Sequence, residues 1–475
     1  MNALRALGPL LTVAGGAVLV LLLDAFWKRE SKNHLAYLSL ALLAGAAALC
    51  IRLWDAGAAS FEGALRLDRP ALLFILFLIL AAAFTVLLGL RYIAQQNAAF
   101  GEFYGLLLLS LSGLMIMVST RDLLIVFLGL EVFSVSAYGL TGLKRNDDRA
   151  SEAAAKYFLM GSFAAAFMVF GLAILFGSAG SFDIGEIFAA GGGARMPVFA
   201  LAGLGLVLVG LAFKIALVPF HMWQPDVYQG APTPVSGFFV VAPKTAGFLV
   251  LMRILLPYGQ GQWGRDAVYY FLYAVAALTM IVGNLGALRQ RNLKRLFAYS
   301  SIAHAGYILI AVLALDARGM AFYLASYLFL GIGAFAALAA MCRPGREYDD
   351  LDDFAGIGFR YPWIGSIFSV ILLALAGFPP LSGFLAKFYV FSAAVRAGLV
   401  PLVIVGVLTS LVSVAYYLRV IAAMYMREPV HPVDIEVENP AVLLVLFLCL
   451  YGVLQLGIFP GNVLTIIRQA MAGLF

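Results

Sequence analysis

A few ionisable side chains lie inside long apolar stretches of this 475-residue sequence. They are Glu131 in LLIVFLGLEVFSVSAYGL, Lys214 and Lys244 on either side of a proline-containing segment, and Lys387 in LAGFPPLSGFLAKFYVF. Burial disfavours the charged form of lysine, so a buried lysine releases its proton more readily than an exposed one, whereas arginine keeps its proton. A nearby carboxylate has the opposite effect on a lysine. Movement of Glu131 toward or away from a lysine would therefore switch that lysine between holding and releasing a proton.

Each of these residues also has a structural interpretation. Glu131 could pair with a buried cation and hold helices together, and Lys387 could extend its side chain to the membrane surface. Lys214 and Lys244 could do no more than join neighbouring helices. A charge at the centre of a bilayer costs ~2.5–3.5 kcal/mol on insertion scales, so such residues are rare and usually functional. We therefore favour proton transfer for all four.

Four further polar residues lie within or near the predicted spans. Lys156 follows Glu152 by four residues near the start of a span, so an ordinary ion pair within one helix explains it as well as a transport role does. His221 falls in a predicted helix break, where it could relay protons or cap free carbonyl groups. For His304, inside a span, we expect a relay, since a neutral imidazole can pass a proton through its two ring nitrogens. Arg419, near the end of a span, is expected to extend to the membrane surface or to anchor the helix.

The composition is that of a membrane protein. Hydrophobic residues make up 63% of the sequence and charged residues 12%, and the mean hydropathy is +0.98. This excludes a large soluble domain, and the net charge of +6 reflects cations in loops rather than nucleic-acid binding. Cys50, Cys342 and Cys449 are scattered and form no metal-ligand pattern, so we expect no redox cofactor or metal in this chain.

Apolar runs predict about fourteen transmembrane helices. They lie near 7–26, 35–54, 70–92, 103–119, 122–142, 153–177, 197–229, 232–256, 266–288, 293–315, 319–341, 362–396, 400–426 and 440–467. The first ends in Lys28-Arg29 without a cleavage pattern and is interpreted as a retained helix. The seventh and twelfth are longer than a bilayer requires and contain Pro219 and Pro225, and Pro379-Pro380, so both are predicted to be broken.

The positions of the two broken helices predict an internal repeat. If helices 4–8 and 9–13 form two five-helix units, the broken helix is the fourth member of each, and the odd number of spans inverts the second unit relative to the first. The predicted divisions are 1–102 (helices 1–3), 103–256 (first repeat), 257–426 (second repeat) and 427–475 (helix 14).

The distribution of basic residues predicts the orientation. Loops after odd-numbered helices carry fifteen lysine and arginine residues, against eleven in the other loops and termini. We therefore expect both termini on the non-cytoplasmic side of the membrane. In this assignment Arg253, at the end of the eighth span, and Lys294, at the start of the tenth, count as loop residues.

Several long motifs carry a resemblance to a known family. They are FLGLEVFSVSAYGL, KRNDDRASEAAAKYFLMGSFAAAFMVFG, FKIALVPFHMWQPDVYQGAPTPVSGFFVVAPKTAGF, NLKRLFAYSSIAHAGYILIA and LAGFPPLSGFLAKFYVF. Over helices 4–13 the sequence resembles the antiporter-like membrane chains of proton-pumping NADH:quinone oxidoreductase, respiratory complex I.

The resemblance implies a fourteen-helix, all-α membrane protein with a row of polar residues at mid-membrane that carries protons. By matching position, Glu131 is the acid partner, Lys214 the switching lysine, Lys244 the connecting lysine and Lys387 the exit-side group. Lys156, His221 and His304 would complete the row.

The resemblance also implies partners and a location. The chain would lie in the bacterial inner membrane with other membrane subunits, including other antiporter-like chains, and with lipids. NADH, flavin, iron–sulfur clusters and quinone would be bound elsewhere in the complex, and quinone reduction there would drive transport. The alternatives are a subunit of a cation/proton antiporter or membrane-bound hydrogenase, and a purely structural membrane scaffold.

Overall fold

The structure, a computed structural model, is built almost entirely of α-helices. It describes residues 2–26, 32–55, 58–60, 64–95, 101–190, 197–262, 267–343, 347–429 and 439–474. The predicted loop cations Lys28 and Arg29 lie outside the described residues.

The helices follow one another through short connections. The first part contains α1 (Asn2–Phe26), α2 (Asn33–Leu53), α3 (Arg69–Gln95), α4 (Glu102–Val118), α5 (Leu123–Thr141), α6 (Asp148–Ala179), α7 (Ile184–Ala190), α8 (Val198–Lys214), α9 (Trp223–Gly230) and α10 (Thr233–Gln262). The second part contains α11 (Ala267–Leu288), α12 (Leu293–Leu313), α13 (Ala317–Ala340), α14 (Ile357–Arg360), α15 (Pro362–Ala376), α16 (Ser382–Arg396), α17 (Val400–Met426), α18 (Pro440–Ile458) and α19 (Gly461–Met471). Between α2 and α3, strands β1 (Ala58–Ser60) and β2 (Leu65–Leu67) form an antiparallel hairpin that the sequence analysis did not predict.

Many of these helices can cross a bilayer. Within the described ranges, eleven are long and apolar enough to do so, and α4, α8 and α15 are shorter apolar helices. The prediction of an all-α protein that spans the membrane many times is therefore confirmed.

Three helices form the centre of the molecule. In the most apolar section of α10, 100% of the residues are buried, and in those of α12 and α13 the share of buried residues is 94%. The corresponding sections are 28% buried in α1 and 33% buried in α2, α6 and α17, which form the outside of the bundle. Side chains on α10 and α12 therefore have protein rather than lipid around them.

The seventh predicted span is interrupted between α8 and α9. Residues 215–222 are not helical, and the backbone amide of Val218 in this segment donates to Oγ1 of Thr279, 3.0 Å away. Pro219 lies in this segment, as predicted. The interpretation of Pro225 as a breaker is wrong, because it is the third residue of α9, where a helix does not need the backbone N–H that proline lacks.

The twelfth predicted span is interrupted between α15 and α16. Gly377 adopts a left-handed conformation with φ 95°, and its amide donates to the carbonyls of Leu373 and Ala374 at 3.0 Å. Glycine adopts this conformation at helix ends without the steric cost that a Cβ atom adds. The adjoining Pro379-Pro380 cannot continue the helix. The last carbonyl groups of α15 are therefore free to accept hydrogen bonds from side chains.

The C-terminal region differs from its prediction as one span over 440–467. α18 ends at Ile458, and α19 is a separate helix. Pro460 is the second residue after α18, and a proline disfavours helical geometry in the residue before it, here Phe459 with φ −126° and ψ 57°.

Ion pairs and hydrogen bonds mark the two ends of the bundle. At one end Lys144, after α5, and Lys294, at the start of α12, both pair with Glu347; we call this the Glu347 face. At the other end Arg253, in the last third of α10, pairs with Asp68, which precedes α3; we call this the Arg253 face.

The break between α15 and α16 requires a glycine at the start of α16. A Cβ atom on Gly383 would lie 1.8 Å from the carbonyl oxygen of Ala374. We expect Gly383→Ala to destabilise the protein by about 1–3 kcal/mol, because one of the two backbones must move. The measurement is the thermal unfolding midpoint in detergent. Gly177→Ala, in α6, is the control, since its Cβ would meet nothing within 4 Å; equal midpoints for both variants would contradict this account of the break.

Candidate functional site

Lys214 is the last residue of α8 and is 2% exposed. Its Nζ donates to Oγ of Ser134 at 2.9 Å and to the hydroxyl of Tyr157 at 3.3 Å. It also lies 4.1 Å from the centre of the Phe133 ring. A cation over an aromatic ring is stabilised without a counter-ion. Hydroxyl groups and aromatic faces therefore surround the ammonium group.

Glu131 lies on α5, one helical turn before Ser134, and is half-buried. It interacts electrostatically with Lys214, but among the described residues no ion pair of 4 Å or less joins the two. Ser134, on the same helix as Glu131, takes the hydrogen bond of the lysine instead. The acid and the lysine are thus close enough to interact but do not form an ion pair.

A narrow cavity adjoins Lys214. It is lined by Leu130, Ser134, Tyr138, Gly161, Ala164, Ala165, Met168, Gly210, Phe213 and Lys214, and it offers about 10 Å³ to the centre of a water molecule. That is room for about one water, and water needs polar partners to stay in a buried site. Ser134, Tyr138 and Lys214 are such partners.

Lys244 lies near the middle of α10 and is 1% exposed. Its Nζ donates to Oε1 of Gln224 at 3.2 Å, and Nε2 of the same glutamine donates to the carbonyl of Ala298 at 2.9 Å. Gln224 belongs to α9, which follows the break after Lys214. The interrupted segment therefore brings a neutral oxygen to a buried lysine that has no carboxylate as hydrogen-bond partner in the described chain.

His304 connects Lys244 with the second half of the chain. It lies on α12, with Nδ1 2.7 Å from the hydroxyl of Tyr323 and Nε2 3.5 Å from that of Tyr417. It interacts electrostatically with both Lys244 and Lys387. Since both ring nitrogens face hydroxyl groups, the imidazole can take a proton on one nitrogen and release it from the other.

Lys387 lies on α16, directly after the second break, and is 5% exposed. Its Nζ donates to Oγ of Ser410 at 2.8 Å and to the carbonyls of Leu375 and Ala376, both at 3.1 Å. These are two of the carbonyls left free where α15 ends. The alternative in which Lys387 extends to the membrane surface is wrong, because the broken helix supplies acceptors inside the protein.

A hydrogen-bonded network beside Lys387 was not predicted. Nζ of Lys387 lies 5.2 Å from the centre of the Tyr307 ring. The Tyr307 hydroxyl accepts from Nδ2 of Asn284 at 3.0 Å and donates to Oγ1 of Thr409 at 3.3 Å, and Tyr416 donates to Oδ1 of Asn284 at 3.1 Å. These residues come from three helices with no common spacing, so no local pattern could have identified them.

His221 and Lys156 lie apart from this row. His221 is in the interrupted segment, where its ring interacts with the Pro219 backbone and its buried Nδ1 has no hydrogen-bond partner in the part of the chain described. Lys156 is 43% exposed on the Glu347 face and pairs with Glu152 at 2.7 Å and with Asp226 at 2.9 Å. The pair with Glu152 that one interpretation of Lys156 requires is present, together with a second pair, to Asp226.

Two arginines and one lysine outside the row make contacts that are typical of a structural role. Arg419 donates to the carbonyls of Leu288 and Gln290 at the end of α11, at 2.8 and 2.6 Å, as expected for an anchor. The assignment of Arg253 and Lys294 to loops is wrong, since they are 4% and 1% exposed. Arg253 lies within α10, which continues to Gln262, and Lys294 is the second residue of α12. Their acidic partners are distant in sequence.

The described residues contain no group of three or more His, Cys, Asp or Glu side chains that could hold a metal ion. Cys50, Cys342 and Cys449 are buried thiols without disulfides. What the site offers is a row of buried nitrogen bases with hydroxyl and carbonyl neighbours. Such a row can hold and pass protons.

Buried and exposed ion pairs should differ in their contribution to stability. Asp68 pairs with Arg253 at 2.7 Å, and its carboxylate also accepts from the Ala71 amide at the start of α3. We expect Asp68→Asn to lower the thermal unfolding midpoint, at a cost of about 1–3 kcal/mol, because Asn keeps the helix cap but leaves a buried guanidinium uncompensated. Asp55→Asn is the control: Asp55 is 87% exposed and pairs with Arg69. A shift of the same size there would mean that burial is not the cause.

Comparison with known proteins assigns this arrangement to a family. Residues 120–413 match the family described as NADH:quinone oxidoreductase/Mrp antiporter, TM. The chain is 40% identical to NADH-quinone oxidoreductase subunit N 2 of Roseiflexus castenholzii, over 99% of this chain and 96% of that protein. It is also 40% identical to NADH-quinone oxidoreductase subunit N of Trichlorobacter lovleyi, over 97% and 95%.

Solved structures give the same result. Respiratory complex I from Thermus thermophilus with bound Aureothin contains a chain with a TM-score of 0.84 and 35% identity, over 96% of this chain and 98% of that one. Two more distant structures share the fold: the membrane-bound sulfane sulfur reductase, an archaeal respiratory membrane complex, with a TM-score of 0.87 and 24% identity, and the Mrp complex from Dietzia sp. DQ12-45-1b, with 0.84 and 21%. They cover 99% of this chain, and 98% and 97% of their own.

Proposed function

Since the chain belongs to the NADH:quinone oxidoreductase/Mrp antiporter transmembrane family and, within it, to the subunit N group, we propose that its buried lysines and histidine carry the protons that this group translocates. The chain is a proton-translocating membrane subunit of NADH:quinone oxidoreductase and works beside other membrane subunits of that complex. The single observation that carries the proposed mechanism is that Lys214, Lys244, His304 and Lys387 are all buried in the bundle with neutral oxygen partners.

In this mechanism protons move along the row from Lys214 to Lys244, His304 and Lys387. A lysine without a carboxylate in contact releases its proton to a neighbouring base more readily than one in an ion pair. Hydroxyl groups such as Ser134 and Tyr323 give and accept hydrogen bonds at once, so they can pass a proton between bases without becoming charged. Quinone reduction elsewhere in the complex drives the transfer.

Glu131 acts as the switch. A carboxylate 4 Å from an ammonium group contributes ~4 kcal/mol at an effective dielectric constant of 20. Approach of Glu131 to Lys214 would favour the protonated lysine, and withdrawal would favour release. The described structure, in which Lys214 donates to Ser134 and forms no ion pair with Glu131, supports the withdrawn arrangement.

His221 and Lys156 exchange protons nearer the Glu347 face. The buried unpartnered Nδ1 of His221 supports a role for this residue in the interrupted segment. Lys156 lines a cleft of about 290 Å³ together with Asp226, which supports exchange with water.

The finer architecture follows the same proposal. Counting each of the two interrupted helices as one crossing, the eleven long helices of the described chain with α4, α8/α9 and α15/α16 correspond to fourteen crossings. Helices 4–8 and 9–13 form the inverted repeats, with the divisions predicted from the sequence. The position of a buried lysine next to each break supports this pairing.

The surroundings of the chain complete the proposal. It lies in the bacterial inner membrane with both termini on the non-cytoplasmic side, beside other antiporter-like subunits. NADH, flavin, iron–sulfur clusters and quinone are bound by other parts of the complex.

Replacement of Lys214 tests the proton role directly. We expect Lys214→Arg and Lys214→Met to assemble into the complex but to move fewer protons per NADH oxidised in reconstituted vesicles. Arginine keeps the charge yet does not release its proton, so it separates proton exchange from charge. Glu131→Gln should have the same effect.

The control is Arg419→Lys, which keeps a cation at a helix-capping position outside the row; it should pump normally. Normal pumping by Lys214→Arg and Glu131→Gln would show that the buried charges are structural. Purification with cation-exchange subunits instead of NADH dehydrogenase partners would favour a cation/proton antiporter.

Orientation is tested separately. With both termini outside the cytoplasm, alkaline phosphatase fused to the C-terminus should be active and a fluorescent protein at the same position should not mature. The reverse result would invert the proposed orientation without affecting the proton row.

A further inference from the structure

Glu347 is the centre of a buried ionic cluster that the proposed proton row does not use. It follows α13 and pairs with Lys144 and, at 2.5 Å, with Lys294. Oγ1 of Thr233 donates to it at 3.2 Å, and Lys294 also donates to the carbonyl of Ala231 at 2.9 Å. The cluster joins α5, α10, α12 and the segment after α13.

A second carboxylate on the same face shows what a surface cluster looks like here. Asp352 pairs with Arg291 at 2.6 Å and with Arg427 at 3.3 Å, and its side chain is 48% exposed. The Glu347 side chain is 13% exposed, and that of Lys294 is 1% exposed. Surface pairs such as those of Asp352 contribute little to stability. The Glu347 side chain is thus more deeply buried than that of Asp352, although both lie at the same end of the bundle.

One side of α12 connects this cluster with the proton row. Lys294, Phe297, Ser301 and His304 follow one another at spacings of three or four residues, so they lie along one stripe of the helix. With a rise of 1.5 Å per residue, Ser301 is ~10 Å and His304 ~15 Å deeper than Lys294.

Ser301 is the midpoint of the stripe, and its hydroxyl is buried without an aligned hydrogen bond in the described chain. It is 0% exposed, and its Oγ makes no aligned hydrogen bond with any described residue. The phenols of Tyr228 and Tyr327 both come close enough to interact with it. A buried polar atom without an aligned partner costs free energy, and a functional role is one reason for a protein to retain it.

Tyr327 continues the path to His304. Its ring lies 4.9 Å from the imidazole, centre to centre. On the other side, the Tyr228 hydroxyl donates to the carbonyl of Phe239 at 2.9 Å, which leaves its oxygen lone pairs available to Ser301. The three hydroxyls thus stand together between the outer cluster and the row.

Two aromatic rings separate Lys294 from Ser301. Phe297 packs against Phe335 with ring centres 5.8 Å apart, and Phe335 packs against Tyr228 at 6.1 Å. These side chains have no group that can carry a proton. The path is closed at this point in the structure.

We propose that Glu347 is the proton-exchange group of this face and that Ser301, with Tyr228 and Tyr327, passes protons between it and His304 when Phe297 and Phe335 part. A proton that enters joins a carboxylate oxygen of Glu347 once Lys144 or Lys294 has moved away, because a short ion pair opposes protonation. With Phe297 and Phe335 apart, water fills the gap and carries the proton to the hydroxyls, where each oxygen accepts one proton and gives up its own. The proton reaches an imidazole nitrogen of His304 from Tyr323 or Tyr417, whose hydroxyls face the ring nitrogens. The inference rests on the proposed proton role of His304.

The serine gives the sharpest test. Ser301→Ala removes only the hydroxyl, and Ser110→Ala is its match, because Oγ of Ser110 in α4 is likewise buried without an aligned hydrogen bond to a described residue. In vesicles with the reconstituted complex, Ser301→Ala should at least halve proton transport per NADH oxidised, with unchanged assembly and thermal midpoint. Ser110→Ala should leave transport unchanged. Normal transport by Ser301→Ala, or an equal loss in both variants, overturns the path.

The outer group is tested with Glu347→Gln against Asp352→Asn. Glu347→Gln should lower transport per assembled complex, and Glu347→Asp should restore part of it, whereas Asp352→Asn should not. If the Glu347→Gln complex assembles and transports protons normally, the cluster only holds the helices together. If Glu347→Gln does not assemble, the serine pair decides. Loss of transport in Lys214→Arg but not in Ser301→Ala would leave the proposed function intact and refute this path alone.

Discussion

An ammonium group inside a helical bundle must find oxygen atoms or aromatic faces, because neither lipid nor apolar side chains replace its water. Lys214 meets this requirement with a serine, a tyrosine and a ring, Lys244 with a glutamine, and Lys387 with a serine and two carbonyls. None of these partners is a carboxylate. Because the partners are neutral, the lysines can still lose and regain a proton. A short ion pair with a carboxylate would instead hold each lysine in its charged form.

The two interrupted helices follow from the same requirement. An intact helix uses all its interior carbonyls in its own hydrogen bonds, so it has none to offer a lysine. The end of α15 frees the carbonyls that Lys387 needs, and the break before α9 lets Gln224 reach Lys244. The breaks therefore help to stabilise the buried cations, and the bundle around α10, α12 and α13 keeps lipid away from both.

The sequence predicted the elements whose signal is local. Apolar runs, a proline next to a lysine and a lone acid within a span can each be seen in one stretch, so most spans, the breaks at Pro219 and Pro379 and the burial of Lys214 and Lys244 were predictable. The sequence did not predict the burial of Arg253 and Lys294, because each lies at one end of its apolar run, where a cation is assigned to the adjoining loop, and is compensated by a carboxylate many residues away. Nor did it predict the tyrosines and serines around His304, whose contacts join several helices. The alternative in which Lys387 extends to the membrane surface is wrong for a related reason, since its acceptors exist only because α15 ends where it does.

The chain order of these contacts bears on how the ribosome delivers the protein to the membrane. Lys214 meets Ser134 and Tyr157, Lys244 meets Gln224, and Arg253 meets Asp68 and Thr120, and in each case the partner lies earlier in the sequence. Chains fold from the N-terminus during synthesis, so each of these cations leaves the translocon into a bundle that already holds its acceptor. Lys144 and Lys294 are the opposite case, for Glu347 is made after both. The nascent bundle can thus bury its inner cations one by one, while the Glu347 face closes only when α13 has been inserted.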